Sequence, residues 1–155
     1  MEPDLHFGTL LKHVFHLWHK VINERLRPRG VSHSQWQVVL EVSRSPTPMT
    51  QSALAAELGV ESSTLVRLLD RLAAKEWLTR EPCPTDRRAH LVRLTPRAQR
   101  LARELEVVVG EVRRELLQVV DRAELEVCVD VLSKIEVRAR EALDGAQKAL
   151  VSRDR

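Results

Sequence analysis

Residues 50 to 95 hold two short helical patterns joined by a glycine turn, followed at once by two strand-like segments around a proline-rich turn. Few small folds accept that order. Thr50 suits an N-cap for a helix bearing Leu54 and Leu58, Gly59 suits its exit, and a second helix is expected from about Ser62. At about 100° per residue, Leu65, Leu68, Leu69 and Leu72 of the second helix share one side, while Ser63, Arg67, Asp70 and Ala74 take the other. Two such helices and their turn form a helix-turn-helix.

The next segments, "LTRE" and "AHLVRLT", alternate branched and polar residues, and the turn between them contains Pro82, Pro84 and Asp86. A β-hairpin directly after such a helix is a wing, with Arg87 and Arg88 at its tip. The N-terminal residues of the second helix are those that reach base edges in a major groove, and Ser62, Ser63, Thr64 and Arg67 have the chemistry for it. Thr50 and Gln51, opening the first helix, join them as candidate DNA contacts. An arginine at a wing tip can enter the narrow minor groove. Asp86 is ill suited to face phosphate, so its expected role is to fix the turn and orient an arginine. Arg67, Arg80, Arg87, Arg88 and Arg93 all fall in this region, which lets a chain of net charge only +3 release counterions locally. A polar helix face alone is ordinary. Its combination with a wing is not.

The flanks read as helices. Phe7, Leu10, Leu11, Val14, Leu17, Trp18, Val21, Ile22 and Leu26 recur with helical period between Leu5 and Leu26, predicting a helix buried along one stripe and stopped by Pro28 and Gly30. A second helix is expected from Ser32 or Ser34 and carries Trp36, Val39 and Leu40 as far as "SRSPTP". After the wing, Thr95 and Pro96 open a helix of about 25 residues, judged from the apolar period. Asp121 and Glu124 make a capping-box pattern for a last helix, whose seam is Leu125, Cys128, Leu132, Ile135, Ala139 and Ala142. So narrow a seam fits a partner helix, and a second subunit can supply one. The terminal "VSRDR" is expected to fray. The fold class is therefore mainly α with a small β-hairpin wing: a winged helix-turn-helix at 31–95, flanked by helical segments at 1–30 and 96–150.

Other classes find less support. No apolar run approaches a membrane span, and "MEPDLHF" lacks a signal-peptide pattern, so a cytoplasmic, nucleoid-associated protein is expected. There is no Gly-rich phosphate loop, nucleophile elbow or metalloprotease motif, so neither an enzyme nor a cofactor is expected. Cys83 and Cys128 lie in unlike segments and suggest no disulfide framework. His13, His16 and His19 are spaced as helical metal ligands can be, but nothing in the sequence completes a zinc site, so no metal is expected.

In its element order, and in "ELGVESSTLVRLLDRL" through "DRRAHLVRLTPRA", the chain resembles the MarR family of winged-helix regulators, specifically the SlyA-like branch. Its Asp-x-Arg wing signature stands as Asp86, Arg87, Arg88, and "LWHKVINERLRPRGVSHSQW" is similar to the same branch. The resemblance implies a homodimer built from the first and last two helices, two recognition helices in successive major grooves of a pseudo-palindrome, and Arg88 as the minor-groove residue. Repression or counter-silencing of genes follows. It also implies a pocket for a small aromatic carboxylate, for which His13, His16, Trp18 and Trp36 are the candidates here. The peroxide-sensing version, which needs a first-helix cysteine and tyrosines, is not carried over. A metal- or thiol-oxidation-responsive regulator of the same fold is the alternative, with Cys83 beside the wing as the thiol.

Overall fold

Caps and breakers divide the chain. In the computed structural model, residues 3–153 are described in secondary structure, and side-chain surroundings are described for residue 4 and residues 6–145. Helix α1 (Pro3–Leu26) runs into a 3-10 turn at Arg27–Arg29, which ends at Gly30 in the left-handed region, φ 65°. Helix α2 (His33–Arg44) opens at Ser32, whose N–H donates to Gln35 Oε1 at 3.1 Å. A two-residue strand β1 (Met49–Thr50) leads straight into α3 (Gln51–Leu58), and α4 (Ser62–Ala74) follows after Gly59. Strands β2 (Leu78–Pro82) and β3 (His90–Leu94) form the wing; α5 (Pro96–Leu117) and α6 (Arg122–Arg153) complete the chain.

The chain divides into two compact units, residues 1–115 and residues 116–155. In the first, Leu65, Leu68, Leu69 and Leu72 of α4 are buried, together with Leu54 of α3 and Val39 of α2. The sheet is antiparallel in the order β1-β3-β2, with Met49 opposite Val92 and Arg80 opposite Val92 on the other side. The expected hairpin is thus a three-stranded sheet. Residue Thr95 caps α5 by accepting from Ala98 N–H at 3.3 Å. Arg44 of α2 grips Glu106 of α5 with two hydrogen bonds, of 2.7 and 3.2 Å, and Arg25 of α1 reaches Glu115 at 2.6 Å.

One expectation changes. The stripe on α1 is buried only at its C-terminal end, at Ile22 and Leu26, whereas Phe7, Leu10, Leu11, Val14 and Leu17 are exposed. The helical period is present, but among the described residues of this unit nothing covers its first half.

In the second unit, Asp121 and Glu124 form the reciprocal box: Asp121 N–H donates to Glu124 Oε2 at 3.0 Å and Glu124 N–H to Asp121 Oδ1 at 2.8 Å. Along α6, Leu125 and Leu132 are half-buried, while Cys128, Ile135, Ala139 and Ala142 are exposed. The helix continues to Arg153 where fraying was expected; residues 154 and 155 lie outside the described residues. Among the described residues, no helix is long and apolar enough to cross a membrane.

Candidate nucleic-acid interface

The α3-turn-α4 motif is held by local hydrogen bonds. Thr50 Oγ1 accepts from Ala53 N–H at 3.2 Å, and Gly59, φ 63°, closes α3 by donating to the end of that helix. A left-handed residue is needed here, which explains the glycine. Packing its leucines inward turns Ser62, Ser63, Thr64 and Arg67 outward, and their side chains make no hydrogen bond or ion pair among the described residues. Gln51 Nε2 is buried without a partner at the start of α3.

The wing tip is a fixed turn. Asp86 Oδ1 accepts from Arg88 N–H at 2.9 Å, and Asp86 O accepts from Ala89 N–H at 3.0 Å. Arg88 Nε stands 3.7 Å from the same carboxylate, yet the Arg88 side chain is 95% exposed. The turn is rigid and its cation remains available. Arg87 is exposed and has no partner among the described residues. Gln51, Ser52, Ser62, Asp86, Arg88 and His90 line one surface depression, so the wing tip and the starts of α3 and α4 share a face.

Two of the five arginines assigned to counterion release are engaged elsewhere. Arg80 ion-pairs with Asp70 of α4, and Arg93 Nε with Glu81 Oε2 at 2.7 Å. Each offsets an acid on the wing or α4. Arg71 was missed: it is exposed, has no partner among the described residues, and lines a depression with Thr64, Arg67 and Asp70. Its i, i+4 spacing from Arg67 was the available signal.

Cys83 is half-buried and its thiol lies below the usual range. The cause is the Thr85 hydroxyl, 3.3 Å away, followed by the backbone N–H groups of Thr85 and Asp86, rather than the neighbouring arginines.

The four ligand candidates do not come together. Trp36 is only 5% exposed, its Nε1 donates to Asn23 Oδ1 at 2.8 Å, and the His19 and His33 rings stand edge-on to it at 5.5 and 5.3 Å. It cannot serve as an open wall, because the same face of α2 builds the core. A pocket does lie beside it, lined by Phe15, His16, His19, Lys20, Asn23 and His33; His13 and Trp18 are not part of it. Burial lowers the pKa of His19, with help from His33 and His16, and burial alone lowers that of His33. Among the described residues, no group of three His, Cys, Asp or Glu side chains is placed to hold a metal ion.

A MarR-family model matches residues 29–89, from the 3-10 turn to the wing tip. The transcriptional regulator PA3341 is 36% identical, superposes with a TM-score of 0.82, and covers 87% of this chain and 98% of its own. The chain belongs to the MarR family. This MarR-family transcriptional regulator is also 28% identical to a cysteine-to-serine variant of MarR from E. coli, solved in complex with operator DNA, with a TM-score of 0.74 over 85% of this chain and 94% of that one. CouR from Rhodococcus jostii RHA1, solved with bound p-coumaroyl-CoA, shares the fold at 22% identity and a TM-score of 0.72, over 83% and 90% of the two chains.

Proposed function

We propose that this regulator binds duplex DNA as a homodimer, with α4 in the major groove and the wing tip in the minor groove. The observation that carries it is a contrast between α4 and the wing's acids and cations: Asp70, Glu81 and Asp86 have arginine partners, while Ser63, Thr64, Arg67 and Arg87 have none among the described residues. Their hydrogen-bonding capacity is free for bases and phosphates. Arg88 supplies the minor-groove contact, Thr50 and Ser62 contact the flanking backbone, and Gln51, whose amide nitrogen is buried, contacts it through its main-chain N–H at the start of α3. The exposed half of the α1 stripe supports the dimer, since a run of large apolar side chains left in water marks a contact surface. In this reading, segments 1–30 and 96–150 dimerise and 31–95 reads DNA in the cytoplasm. The wing segment "DRRAHLVRLT" supports membership of the SlyA-like branch.

An aromatic carboxylate is the proposed effector, and its site moves to the pocket of Phe15, His16, His19, Lys20 and His33. The Lys20 ammonium pairs with the carboxylate and Phe15 meets the ring. The lowered Cys83 thiol favours a second reading, release of DNA on oxidation. Peroxide that abolishes DNA binding in the wild type but not in Cys83→Ser supports that second reading.

Selection of duplexes from a randomised library by the full-length protein tests the main proposal. A two-fold symmetric motif is expected, and Arg67→Ala should blur it. Recovery of random sequence, or a motif indifferent to both Arg67→Ala and Arg88→Ala, sinks the proposal.

A further inference from the structure

Strand β2 alternates between core and solvent: Leu78 is buried, Thr79 exposed and Arg80 half-buried. An arginine therefore stands on the inward face of a strand, opposite the buried Val92. That position ordinarily takes an aliphatic side chain. The Arg80 side chain is 25% exposed, and its Nη2 ion-pairs with Asp70 Oδ1 from the middle of α4. Its Nε is buried and meets no acceptor, an uncompensated desolvation that native structures seldom tolerate.

A second unfavourable feature lies at the same joint. Glu76, in the turn from α4 to β2, has φ 59°, a left-handed conformation that side chains other than glycine resist. The turn is held all the same, because Thr95 Oγ1 donates to Glu76 O at 2.8 Å and Thr95 N–H to Trp77 O at 3.0 Å. Strain and an orphaned donor thus meet where the recognition helix joins the wing. Costs of this kind persist where a particular geometry is required.

We propose that Arg80 is a positioning residue for DNA reading: through Asp70 it fixes the wing against α4, so that Arg67 and Arg88 engage one duplex as a rigid pair. The proposal rests on the DNA-facing roles given above to Arg67 and Arg88. A simple charge-masking account makes a different demand. If Arg80 only cancelled the Asp70 carboxylate, Arg80→Met would weaken all DNA binding, and Asp70→Asn would tighten it. A fixed strut instead loses function when either end is removed.

The test uses full-length protein and the duplex that the wild type selects from a randomised library, with a scrambled duplex as reference. Arg80→Met keeps the apolar stem and Asp70→Asn keeps the shape. Each is expected to lower the ratio of selected to scrambled affinity about tenfold, and Asp70→Glu to retain part of it. Arg67→Ala and Arg88→Ala are expected to be non-additive by about tenfold in the wild type and additive in either strut variant, a change that lost stability alone does not produce. If Arg80→Met fails to fold, Asp70→Asn, at a mostly exposed position, decides alone. Opposite effects of the two variants, or a coupling between Arg67 and Arg88 that is absent in the wild type or survives both, overturn the strut. If Arg67→Ala and Arg88→Ala themselves leave binding intact, the DNA-facing assignment fails first and the strut with it.

Discussion

The indole N–H of Trp36 donates to Asn23 Oδ1 at 2.8 Å, and His33 Nδ1 lies 3.1 Å from the same oxygen. One amide oxygen thus ties α1 to two residues of α2. Asn23→Leu removes the acceptor and leaves the indole donor in a buried place without a partner. A loss of about 1–3 kcal/mol of unfolding free energy is expected, measured by denaturant titration. A change within error would show that water replaces the amide without cost.

Stability should also depend on pH through His19 and His33. Both have pKa values lowered by burial in the folded chain, so the unfolded chain binds protons first as pH falls below about 6.5. Their contribution is whole above that value and is lost as pH falls from it toward the folded pKa. Thermal melts at pH 7.5 and 5.5 should therefore differ more in the wild type than in His19→Gln.

On the proposed DNA face, Arg71 lies a turn further along α4 than Arg67, and we expect it to meet phosphate rather than a base edge. Arg71→Ala should weaken binding to selected and scrambled duplexes alike, and lower the salt slope by about 0.9. Titration by fluorescence anisotropy at several salt concentrations measures both. A loss confined to the selected sequence would make Arg71 a reader instead.

The N-cap of α4 is Glu61, whose side chain makes no capping bond. Serine there can accept a hydrogen bond from the first turn. Glu61→Ser should stabilise the winged unit by about 0.5–1 kcal/mol, seen as a higher midpoint in thermal denaturation. A lower midpoint would mean that the glutamate's charge at the helix start outweighs a cap.

For the proposed dimer, Leu10→Asp places a carboxylate on the exposed stripe of α1. In an apolar interface that charge has no partner, so sedimentation at micromolar concentration should shift from dimer toward monomer or aggregate. An unchanged dimer would remove this stripe from the interface.

Much of the winged unit could be read in advance because its signals are local. The leucines of α4 keep the helical period, Gly59 and Thr95 mark an end and a start, and the Asp86 turn lies within a few residues. What escaped depends on residues distant in sequence. Strand β1 is two residues long, too short for any period, and exists only through its pairing with β3. Arg80 and Arg93 look like free cations until the fold brings Asp70 and Glu81 beside them. Trp36 offered a flat ring to a ligand, whereas its helix turns that ring into the core. The α1 stripe has the pattern of a buried face, and no single-chain pattern can say which surface will cover it.

Thr50 is at once the strand partner of Leu91 and the residue that caps α3. A slip of β3 by one position along β1 would bring a residue of opposite facing to Thr50 and pull at the cap. The register of β3 is thus coupled to the start of α3 through this one residue. Extra residues between Cys83 and Ala89 would lengthen the tip without disturbing that coupling, while one residue inserted between Met49 and Gln51 would break it. Natural variation in length is therefore expected to collect at the tip and to spare the short approach to Thr50.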